Sequence, residues 1–493
     1  MTEGIVAAGH PLTAEAGAAV LRDGGNAVDA AVAAMLTSWV AEPLLTGPGA
    51  GGYMLVAGAG EEPTLLDFFV EAPGRGTDTA MRAELLPVDV SFGDAVQLFN
   101  VGPASCGTYG NPAGIAEATR RWGTVPLADL ASRPAKLARE GVVLNGPQAY
   151  VFSILAGILV STPEATALFA RDDGSVLREG DTFVAPELGE AIERLATDGA
   201  APFYEGDIAA AVVEWVGERG GLLTAEDLRA YAPIARSPQE AAYRGRTVLT
   251  NPPPSAGGVL IALAMALLDR ETTGAPGVLE LVDVMERVQA ERTAEFVVGL
   301  ADERFADAFI ASRLGSTTHI SVLDADGRAC AVTCTNGEGS GLVVPGTGVH
   351  VNNIMGEEDL SPLGFHSYPS GRRMPSMMAP TVVLGDSGVE LVVGSAGSNR
   401  IRSAILQTVV GVVDHGRSAN EAVDAPRVHF EDGVVYAEPG IDTAVLEAAG
   451  RTVTPFRDLN LFFGGVQAVE RDALTGALSG AGDPRRGGVA VVG

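Results

Sequence analysis

The sequence predicts a mixed α/β protein, with helices through much of the first two-thirds and strands from residue 317 onward. Residues 13–22 and 27–40 have the apolar spacing of helices, and residues 113–235 are mostly helical with short connectors. From Thr317 the chain alternates in the manner of a strand. Its 493 residues are enough for two to four domains or for one large layered unit, and length alone leaves both open.

The N-terminal elements are two helices followed by a glycine-rich turn. The helix over 13–22 ends at a turn over 23–26, and the helix over 27–40 has an alanine-rich face. Residues 47–52 match G-x-G-x-x-G and lead into the strand-like residues 53–57. A dinucleotide fingerprint needs strand, glycines and then helix, whereas here a helix comes first. We therefore predict a tight turn or a close backbone approach at these glycines.

The later helices and strands are predicted in the same way, from the spacing of the apolar residues and from the Pro- and Gly-rich segments that end each element. Helices are predicted over 112–122, 127–140 and 186–197. A further helix is expected to start at 224–227, and an apolar helix is expected to follow the Pro- and Gly-rich segment 251–258. A hairpin runs from Thr317 to residue 323, turns at 324–327 and returns over 328–335. Strands over 381–384 and 389–393 and a helix over 401–414 complete the pattern.

Composition excludes several classes of partner. The net charge is −29, and we find no cluster of Lys or Arg, so neither nucleic acid nor an anionic membrane is an expected partner. The longest apolar runs, 30–41 and 259–268, are too short to span a bilayer. The first ten residues have no basic n-region and no long apolar stretch, so we expect a cytoplasmic protein unless a leader was removed.

Cysteine and histidine spacing predicts neither a metal nor another cofactor. Cys106, Cys330 and Cys334 form no metal-ligand motif, and the last two share one face of a predicted strand. We expect them to be small buried hydrophobic residues rather than a disulfide or a zinc site.

The tripeptide Thr317-Thr318-His319 contains the strongest candidates for catalytic residues. If the chain is cut before Thr317, the new terminus has a hydroxyl nucleophile and an α-amine whose pKa is about 7.7–8.0, so the amine can act as the base. The alternative is an uncut strand in which Thr317 only packs. His319 could suggest a Ser/His/Asp arrangement, but the amine already supplies a base, so a structural or processing role is favoured for the imidazole.

Several motifs in order resemble the γ-glutamyltransferase family. They span nearly the whole chain: residues 24–31, 51–52, 203–206, 223–228, 317–319, 333–335, 352–353, 376–380 and 394–401. The resemblance implies a four-layered αββα sandwich of the N-terminal-nucleophile hydrolase type. It also implies autocatalytic cleavage before Thr317 into a large chain of 1–316 and a small chain of 317–493. The two fragments would interleave as one domain and form a heterodimer, with further oligomerisation left open.

The resemblance also assigns catalytic roles. Thr317 would attack the carbonyl of Ser316 and later that of the substrate, giving an acyl-enzyme. Thr335 matches the position whose hydroxyl orients the nucleophile. The backbone N–H groups of Gly397 and Ser398 match the oxyanion hole, where the family usually has two glycines. A serine keeps the N–H group, so the hole is retained if the backbone angles admit a side chain.

The substrate-binding positions depart from the family pattern. An Arg that clamps the donor carboxylate is replaced by Phe69, one serine of a Ser-Ser pair after Ser376 is replaced by Met377, and a Gln is replaced by Ile354. Asn336 and Asn353 match binding positions, and Glu357 matches the acid that pairs with the donor amine. Three polar-to-apolar changes in one pocket argue against ordinary γ-glutamyl recognition, unless Arg75, Arg372, Arg373 or Arg400 replaces the clamp.

We therefore expect a self-processing threonine hydrolase or acyltransferase that acts on a small acyl substrate other than glutathione, with water or an amine as acceptor. The family includes glutaryl-cephalosporin acylases and members of alkylproline natural-product pathways that split a C–C bond next to a carbonyl, so either an amide or such a bond fits. One alternative is a true γ-glutamyl hydrolase or transpeptidase with a rearranged clamp. Another is an unprocessed binding protein without chemistry.

Overall fold

A computed structural model of the chain describes residues 4–77, 82–91, 96–291, 300, 318–361 and 364–493. These residues form helices and strands throughout, which confirms the mixed α/β prediction. Ser316 and Thr317 lie outside the described residues.

Most strands belong to two large sheets. In chain order the strands of the described residues are β1 (Ile5–Ala8), β2 (Gly51–Gly58), β3 (Glu61–Phe68), β4 (Leu86–Ser91), β5 (Val96–Val101), β6 (Val142–Val143), β7 (Thr182–Phe183), β8 (Ile234–Arg236), β9 (Gln239–Tyr243), β10 (Arg246–Thr250), β11 (Thr318–Leu323), β12 (Arg328–Thr335), β13 (Val343–Val344), β14 (Val349–His350), β15 (Thr381–Gly385), β16 (Gly388–Ala396), β17 (Val428–Glu431), β18 (Val434–Ala437), β19 (Thr452–Pro455), β20 (Gly465–Arg471), β21 (Leu478–Gly482) and β22 (Val489–Val492). One sheet has the order β22-β1-β11-β12-β2-β3-β8, and the other has the order β21-β20-β16-β15-β10-β9. Both sheets therefore combine strands from before and after residue 317.

Helices connect and cover these sheets. In chain order those of the described residues are α1 (Pro11–Arg22), α2 (Ala27–Ala41), α3 (Asn111–Trp122), α4 (Leu127–Glu140), α5 (Gly146–Ile154), α6 (Ala156–Leu159), α7 (Pro163–Phe169), α8 (Pro186–Asp198), α9 (Ala201–Tyr204), α10 (Asp207–Glu218), α11 (Ala225–Ala230), α12 (Ala256–Glu271), α13 (Val278–Ala290), α14 (Arg400–Val413), α15 (Ala419–Asp424) and α16 (Thr443–Ala448). The helices predicted from apolar spacing are present, with ends that differ by a few residues at most from those expected.

The long N-terminal helix α2 is buried along its whole length. Asn26 caps it, its side chain accepting from the N–H groups of Val28 (2.8 Å) and Asp29 (3.0 Å), and Asp29 accepts in return from the Asn26 N–H. Every residue of α2 is buried, because the helix lies inside the largest apolar cluster rather than at the surface. Its C-terminal end delivers Glu42 to the interior.

The hairpin of β11 and β12 is the centre of the first sheet. Its register pairs Thr318 with Cys334 and Leu323 with Ala329, and the turn closes with the Gly327 N–H donating to the Asp324 carbonyl at 3.1 Å. Cys330 and Cys334 are free and buried, and burial raises the pKa of both thiols. The predictions of a hairpin over the described residues and of buried cysteines are confirmed.

The glycine run over 47–52 makes close backbone approaches. A Cβ on Gly49 would clash with the His350 carbonyl, and one on Gly52 would clash with the Thr333 carbonyl across the sheet. Only glycine allows the backbone to come this close to the two carbonyls. The run connects α2 to β2 and includes the first two residues of β2, so the predicted close approach is confirmed.

Apolar side chains gather in separate buried clusters on the two faces of each sheet. One cluster contains residues of both sheets, among them Tyr53 and Leu65 of the first sheet and Val382 and Val392 of the second. A second cluster joins the first sheet to α2 and the helices that follow it. A third joins the second sheet to α12, α13 and α14. Within the described ranges no helix is long and apolar enough to cross a membrane.

Candidate active site

The described part of β11 begins at Thr318, whose hydroxyl bonds to a buried acid. Thr318 Oγ1 donates to Glu42 Oε1 at 3.1 Å, and Thr13 Oγ1 donates to Glu42 Oε2 at 3.1 Å. Burial raises the pKa of Glu42 from 4.5 to about 7, although the two hydroxyls and the charge of Arg486 oppose the shift. The carboxyl group therefore exchanges protons near neutral pH. Sequence reasoning missed Glu42, and the available signal was an acid directly after a continuously apolar helix.

The side chain of His319 lies on the face of β11 opposite to Thr318 and packs between the two large sheets. Its Nδ1 bonds to Thr333 Oγ1 at 2.8 Å and its Nε2 to Ser321 Oγ at 2.9 Å, so both ring nitrogens are engaged. The ring packs against Gly394 of the second sheet, where a Cβ would clash with it. Burial lowers the pKa of His319 from 6.5 to about 3, so the imidazole is neutral at physiological pH.

The neutral state of His319 gives a pH-dependent stability. The unfolded chain takes up the proton near pH 6.5 and the folded chain only near pH 3. This contribution is therefore present above pH 6.5 and is lost as the pH falls towards 3, by about 1.4 kcal/mol per pH unit. We expect His319→Gln to lessen the acid dependence of the free energy of unfolding, measured by urea titration between pH 4 and 7. An equal slope in variant and wild type would contradict the assignment.

Thr335 and Asn336 occupy the end of β12 beside the start of β11. Thr335 Oγ1 accepts from the Gly337 N–H at 2.8 Å, which fixes the hydroxyl at the point where the strand becomes a loop. Asn336 is 1% exposed, and its backbone N–H donates to the Leu45 carbonyl at 3.0 Å. Neither side-chain amide atom of Asn336 bonds to any residue that the structure describes. A buried amide of this kind is suited to hydrogen-bond a ligand.

Asn353 and Glu357 lie against the same loop. Asn353 Oδ1 accepts from the Glu338 N–H at 2.9 Å, and Asn353 Nδ2 lies 3.4 Å from Glu338 Oε2. A Cβ on Gly337 would come within 2.7 Å of Glu357 Oε1, and the φ of Gly337 is 62°. Glycine is therefore required for the two loops to meet, and the structure brings the predicted residues Asn336, Asn353 and Glu357 together with Thr335.

Gly397 and Ser398 form a left-handed turn between β16 and α14. Their φ angles are 119° and 56°, and their carbonyls accept from the N–H groups of Arg400 and Ile401, both at 3.1 Å. The N-terminus of α14 follows directly, and its dipole favours negative charge at this end. The backbone does hold a serine at 398, in a conformation that costs a non-glycine residue about 1–3 kcal/mol.

A chain of side chains holds the turn from behind. Asn399, next to Ser398, donates to Glu431, whose other oxygen lies 3.4 Å from His429 Nε2. His429 Nδ1 bonds to Ser403 Oγ at 2.7 Å. All four residues come from β17 or the start of α14, and sequence reasoning did not identify this support because it depends on the packing of a distant strand.

Phe69 is part of the apolar core between the sheets. It is fully buried and stacks on Tyr53 with ring centroids 5.5 Å apart, and Ile354 belongs to the same cluster. Arg373 donates to the Phe69 carbonyl and to Tyr231 Oη (2.5 Å). The guanidinium also lies 3.4 Å from Asp67 and 3.5 Å from Glu71. The guanidinium of Arg373 is therefore already engaged in hydrogen bonds and ion pairs with residues of the protein interior.

The other three arginines considered as replacements also have internal contacts. Arg75 pairs with Glu71 at 2.8 Å and donates to the Gly371 carbonyl at 3.2 Å. Arg400 donates to the Phe462 carbonyl at 2.9 Å, and Arg372 lies 4.9 Å from the ring centre of Tyr368.

Ser376 and Met377 lie next to the N-terminus of α12. Ser376 Oγ accepts from the Met378 N–H at 3.0 Å, and the Ser376 carbonyl accepts from the Ala256 N–H at 2.8 Å. Met377 packs in the cluster of the second sheet and its helices, whereas Met378 joins the cluster between the sheets. Successive residues of an extended segment point to opposite sides. The three apolar replacements therefore occupy two clusters rather than the single pocket expected from the sequence.

The described residues contain no group of three or more His, Cys, Asp and Glu side chains arranged to hold a metal ion. The chemistry available among them consists of hydroxyls, amides, a buried acid of raised pKa and backbone N–H groups at a helix N-terminus.

Comparison with known proteins decides the family. The sequence profile of gamma-glutamyltranspeptidase matches residues 13–316 and 307–493. The chain belongs to the gamma-glutamyltranspeptidase family. It is 30% identical to the glutathione hydrolase proenzyme of Escherichia coli (strain K12), a match that covers 98% of this chain and 90% of the relative. It is 31% identical to the Acylase ACY 1 proenzyme of Pseudomonas sp. (strain SE83), covering 91% and 86%.

Solved structures agree with the family assignment. The crystal structure of cephalosporin acylase from Bacillus halodurans superposes with a TM-score of 0.84 at 24% identity, covering 99% of this chain and 96% of that one. This similarity shows the fold. As a gamma-glutamyltranspeptidase family member the protein is an enzyme of the N-terminal-nucleophile hydrolase or transferase type, as the sequence predicted.

Proposed function

We propose that this gamma-glutamyltranspeptidase family member cuts itself before Thr317 and then uses Thr317 as the nucleophile of a hydrolase or acyltransferase. The α-amine released by the cut would be the base, Thr335 would orient the nucleophile, and the N–H groups of Gly397 and Ser398 would bind the oxyanion. The substrate would be a small acyl compound other than glutathione, joined through an amide or through an activated C–C bond next to a carbonyl.

The sheet register supports the roles of Thr317 and Thr335. Thr318, the first residue of β11, pairs with Cys334, so Thr335 ends β12 directly beside the start of β11. The proenzyme names of relatives support cleavage into two fragments. Because both large sheets contain strands from before and after residue 317, the proposed fragments 1–316 and 317–493 would stay interleaved as one domain.

We also propose that the two sheets lie between two layers of helices. The cluster shared by both sheets and the helix-lined clusters on their outer sides support the four-layered αββα sandwich expected from the sequence. A water or amine acceptor, a cytoplasmic location and any assembly of heterodimers into larger oligomers stay predictions.

The observation that carries the substrate proposal is the environment of Phe69. The family's carboxylate-binding arginine is replaced by a ring that packs on Tyr53, and the nearby Arg373 is already bonded to the Phe69 carbonyl, Asp67 and Glu71. A free α-carboxylate at this place would have no bidentate partner. The relative named as an acylase is consistent with recognition of a different acyl group.

The acid that the family uses to bind the donor amine has a counterpart here in Glu357. Glu357 is buried beside Asn353 and the Asn336 loop, so a donor with an amine could still be bound. We therefore propose that the preferred acyl group carries an amine or other N–H donor but no α-carboxylate.

Four p-nitroanilides test this by removing one charge at a time. The 4-aminobutanoyl compound is the γ-glutamyl compound without its carboxylate, the glutaryl compound lacks only the amine, and the butanoyl compound lacks both. We expect kcat/KM for 4-aminobutanoyl-p-nitroanilide to exceed that of the γ-glutamyl compound by about tenfold or more, since burying an unpaired carboxylate costs more than about 1.4 kcal/mol. Release of p-nitroaniline is the measurement.

The other outcomes separate the alternatives. If the γ-glutamyl and glutaryl compounds are both preferred, a rearranged carboxylate clamp exists and the protein is a γ-glutamyl hydrolase or transpeptidase. If none of the four is turned over and the chain stays in one piece, the protein is an unprocessed binding protein and the proposed function is wrong.

A further inference from the structure

Arg486 places a guanidinium against the turn of Gly397 and Ser398. It is the last residue of the short turn Pro484–Arg486, and its stem crosses Gly465, where a Cβ would clash with Arg486 Cδ. A Cβ built on Gly397 would lie 3.3 Å from Arg486 Nη2. The positive charge is therefore in contact with the backbone of the proposed oxyanion hole, and glycine at 465 lets it come this close.

No described residue accepts a hydrogen bond from Arg486 Nε or forms an ion pair with its guanidinium. Glu42 lines the same cavity, but its two oxygens accept from the hydroxyls of Thr13 and Thr318, both at 3.1 Å. Taking a cation out of water without a counter-ion is costly. Charged groups held at such a cost are concentrated at functional sites, so a role in the reaction is indicated for Arg486.

The neighbouring Arg485 is a contrast within the same turn. Its guanidinium pairs with Glu438 and, at 3.1 Å, with Asp483, so its charge is compensated in the interior. Burial and the charge of Arg400 lower the pKa of Arg486 to about 10, so Arg486 is still a cation at neutral pH. Arg485 thus holds the chain in place, whereas the charge of Arg486 is available at the cavity.

The surroundings of the turn favour a negative charge there. The positive end of the α14 dipole lies directly after the turn, since α14 begins at Arg400. Asp483 and Glu338 attract the guanidinium of Arg486 from beyond ion-pair distance. In acyl transfer, the charge that develops at such a turn is that of the carbonyl oxygen when the nucleophile adds to the carbonyl carbon.

We propose that Arg486 supplies a positive charge to the oxyanion hole of Gly397 and Ser398, and that it stabilises the negatively charged oxygen of the tetrahedral acyl group. This inference rests on the proposed function, because it concerns the reaction at that turn. The oxygen gains its charge when the nucleophile adds and loses it when the leaving group departs. The guanidinium stays protonated throughout and transfers no proton.

Two substitutions at Arg486 separate its charge from its bulk. Arg486→Met keeps an unbranched stem without charge, and Arg486→Lys keeps the charge. The same oxyanion forms from every donor, so we expect Arg486→Met to lower kcat/KM by about tenfold to a hundredfold, with the same factor for each of the four p-nitroanilides that the wild type cleaves. Arg486→Lys should recover most of this loss, because it restores a cation at the turn.

Two inhibitors separate the transition state from the ground state. 3-Aminopropylboronic acid has boron in place of the carbonyl carbon of the 4-aminobutanoyl group and becomes a tetrahedral anion when a hydroxyl adds to it. 4-Aminobutanamide binds as a neutral amide. In Arg486→Met, the inhibition constant of the boronic acid should rise by about the factor lost from kcat/KM, while that of the amide stays within about twofold. A merely structural role would weaken both.

Arg485→Met is the matched control for folding. It leaves Glu438 and Asp483 without a buried partner, so we expect its melting temperature to fall. Arg486→Met removes a cation that has no ion-pair partner among the described residues, so its melting temperature should equal or exceed that of wild type. A loss of kcat/KM with unchanged or raised thermal stability separates electrostatic stabilisation from misfolding.

Three results would overturn the proposal and leave the proposed nucleophile untouched. One is unchanged kcat/KM in Arg486→Met, and another is equal weakening of both inhibitors. The third is a loss confined to the glutaryl and γ-glutamyl compounds, which would show that Arg486 binds a donor carboxylate instead. A wild-type chain that stays uncut and cleaves none of the donors would instead overturn the proposed function itself.

Discussion

Thr317→Ala is expected to leave the chain as a single piece of 493 residues and to reduce turnover to the uncatalysed background. The substitution removes the oxygen that both self-cleavage and acyl transfer require. Removing the nucleophile of a catalytic unit costs about 10⁶-fold in kcat. Denaturing electrophoresis and release of p-nitroaniline from the best of the four donors measure the two effects.

Thr317→Ser is the matched control, because it keeps the hydroxyl and the potential terminal amine. We expect it to be cut and to retain turnover within about tenfold to a hundredfold of wild type. Cleavage or full turnover in Thr317→Ala would show that another residue is the nucleophile.

Gly397→Ala should have the second-largest effect, about 10²–10³-fold in kcat, through loss of the oxyanion hole. The φ of Gly397 is 119°, and a Cβ there would lie 2.8 Å from the Cα of Gly464. The turn must therefore shift, which moves the N–H groups away from the developing charge. We also expect the free energy of unfolding to fall by about 1–3 kcal/mol. Steady-state kinetics on wild type and variant, both already cut, isolates the catalytic effect.

Ser398→Gly is the control at the neighbouring position. It keeps the N–H group and relieves the left-handed strain at φ 56°, so kcat should stay within a few-fold of wild type while the melting temperature rises. If Gly397→Ala retained full kcat, or if Ser398→Gly lost as much as Gly397→Ala, the turn would not be the oxyanion hole.

Local pattern predicted most of the secondary structure because the relevant forces are local. The capping box at Asn26 and Asp29 and the hairpin turn at Gly327 each depend on hydrogen bonds between residues only a few positions apart in the sequence. The pairing of Thr318 with Cys334 follows from the alternation of the two strands. Resemblance to the family then linked distant motifs, and the structure brings Asn336, Asn353, Glu357 and Thr335 together.

Other features depended on packing that one sequence does not reveal. The acid at Glu42 acquires its raised pKa only because α2 is buried on all sides and delivers it beside Thr318. The placement of Met377 away from Phe69 depends on which side of an extended segment faces which sheet. Arg373 could be proposed as a clamp from the sequence, but its partners Asp67 and Glu71 are identified only in three dimensions.

Peptide mapping by mass spectrometry of wild-type enzyme, quenched with acid during turnover of 4-aminobutanoyl-p-nitroanilide, tests directly whether Thr317 is the terminal nucleophile. We expect a small fragment whose first residue is Thr317, with the 4-aminobutanoyl group attached to that residue as an ester. Uncut chain, a fragment with a different first residue, or the acyl group on any other side chain would contradict the assignment of Thr317 as the terminal nucleophile.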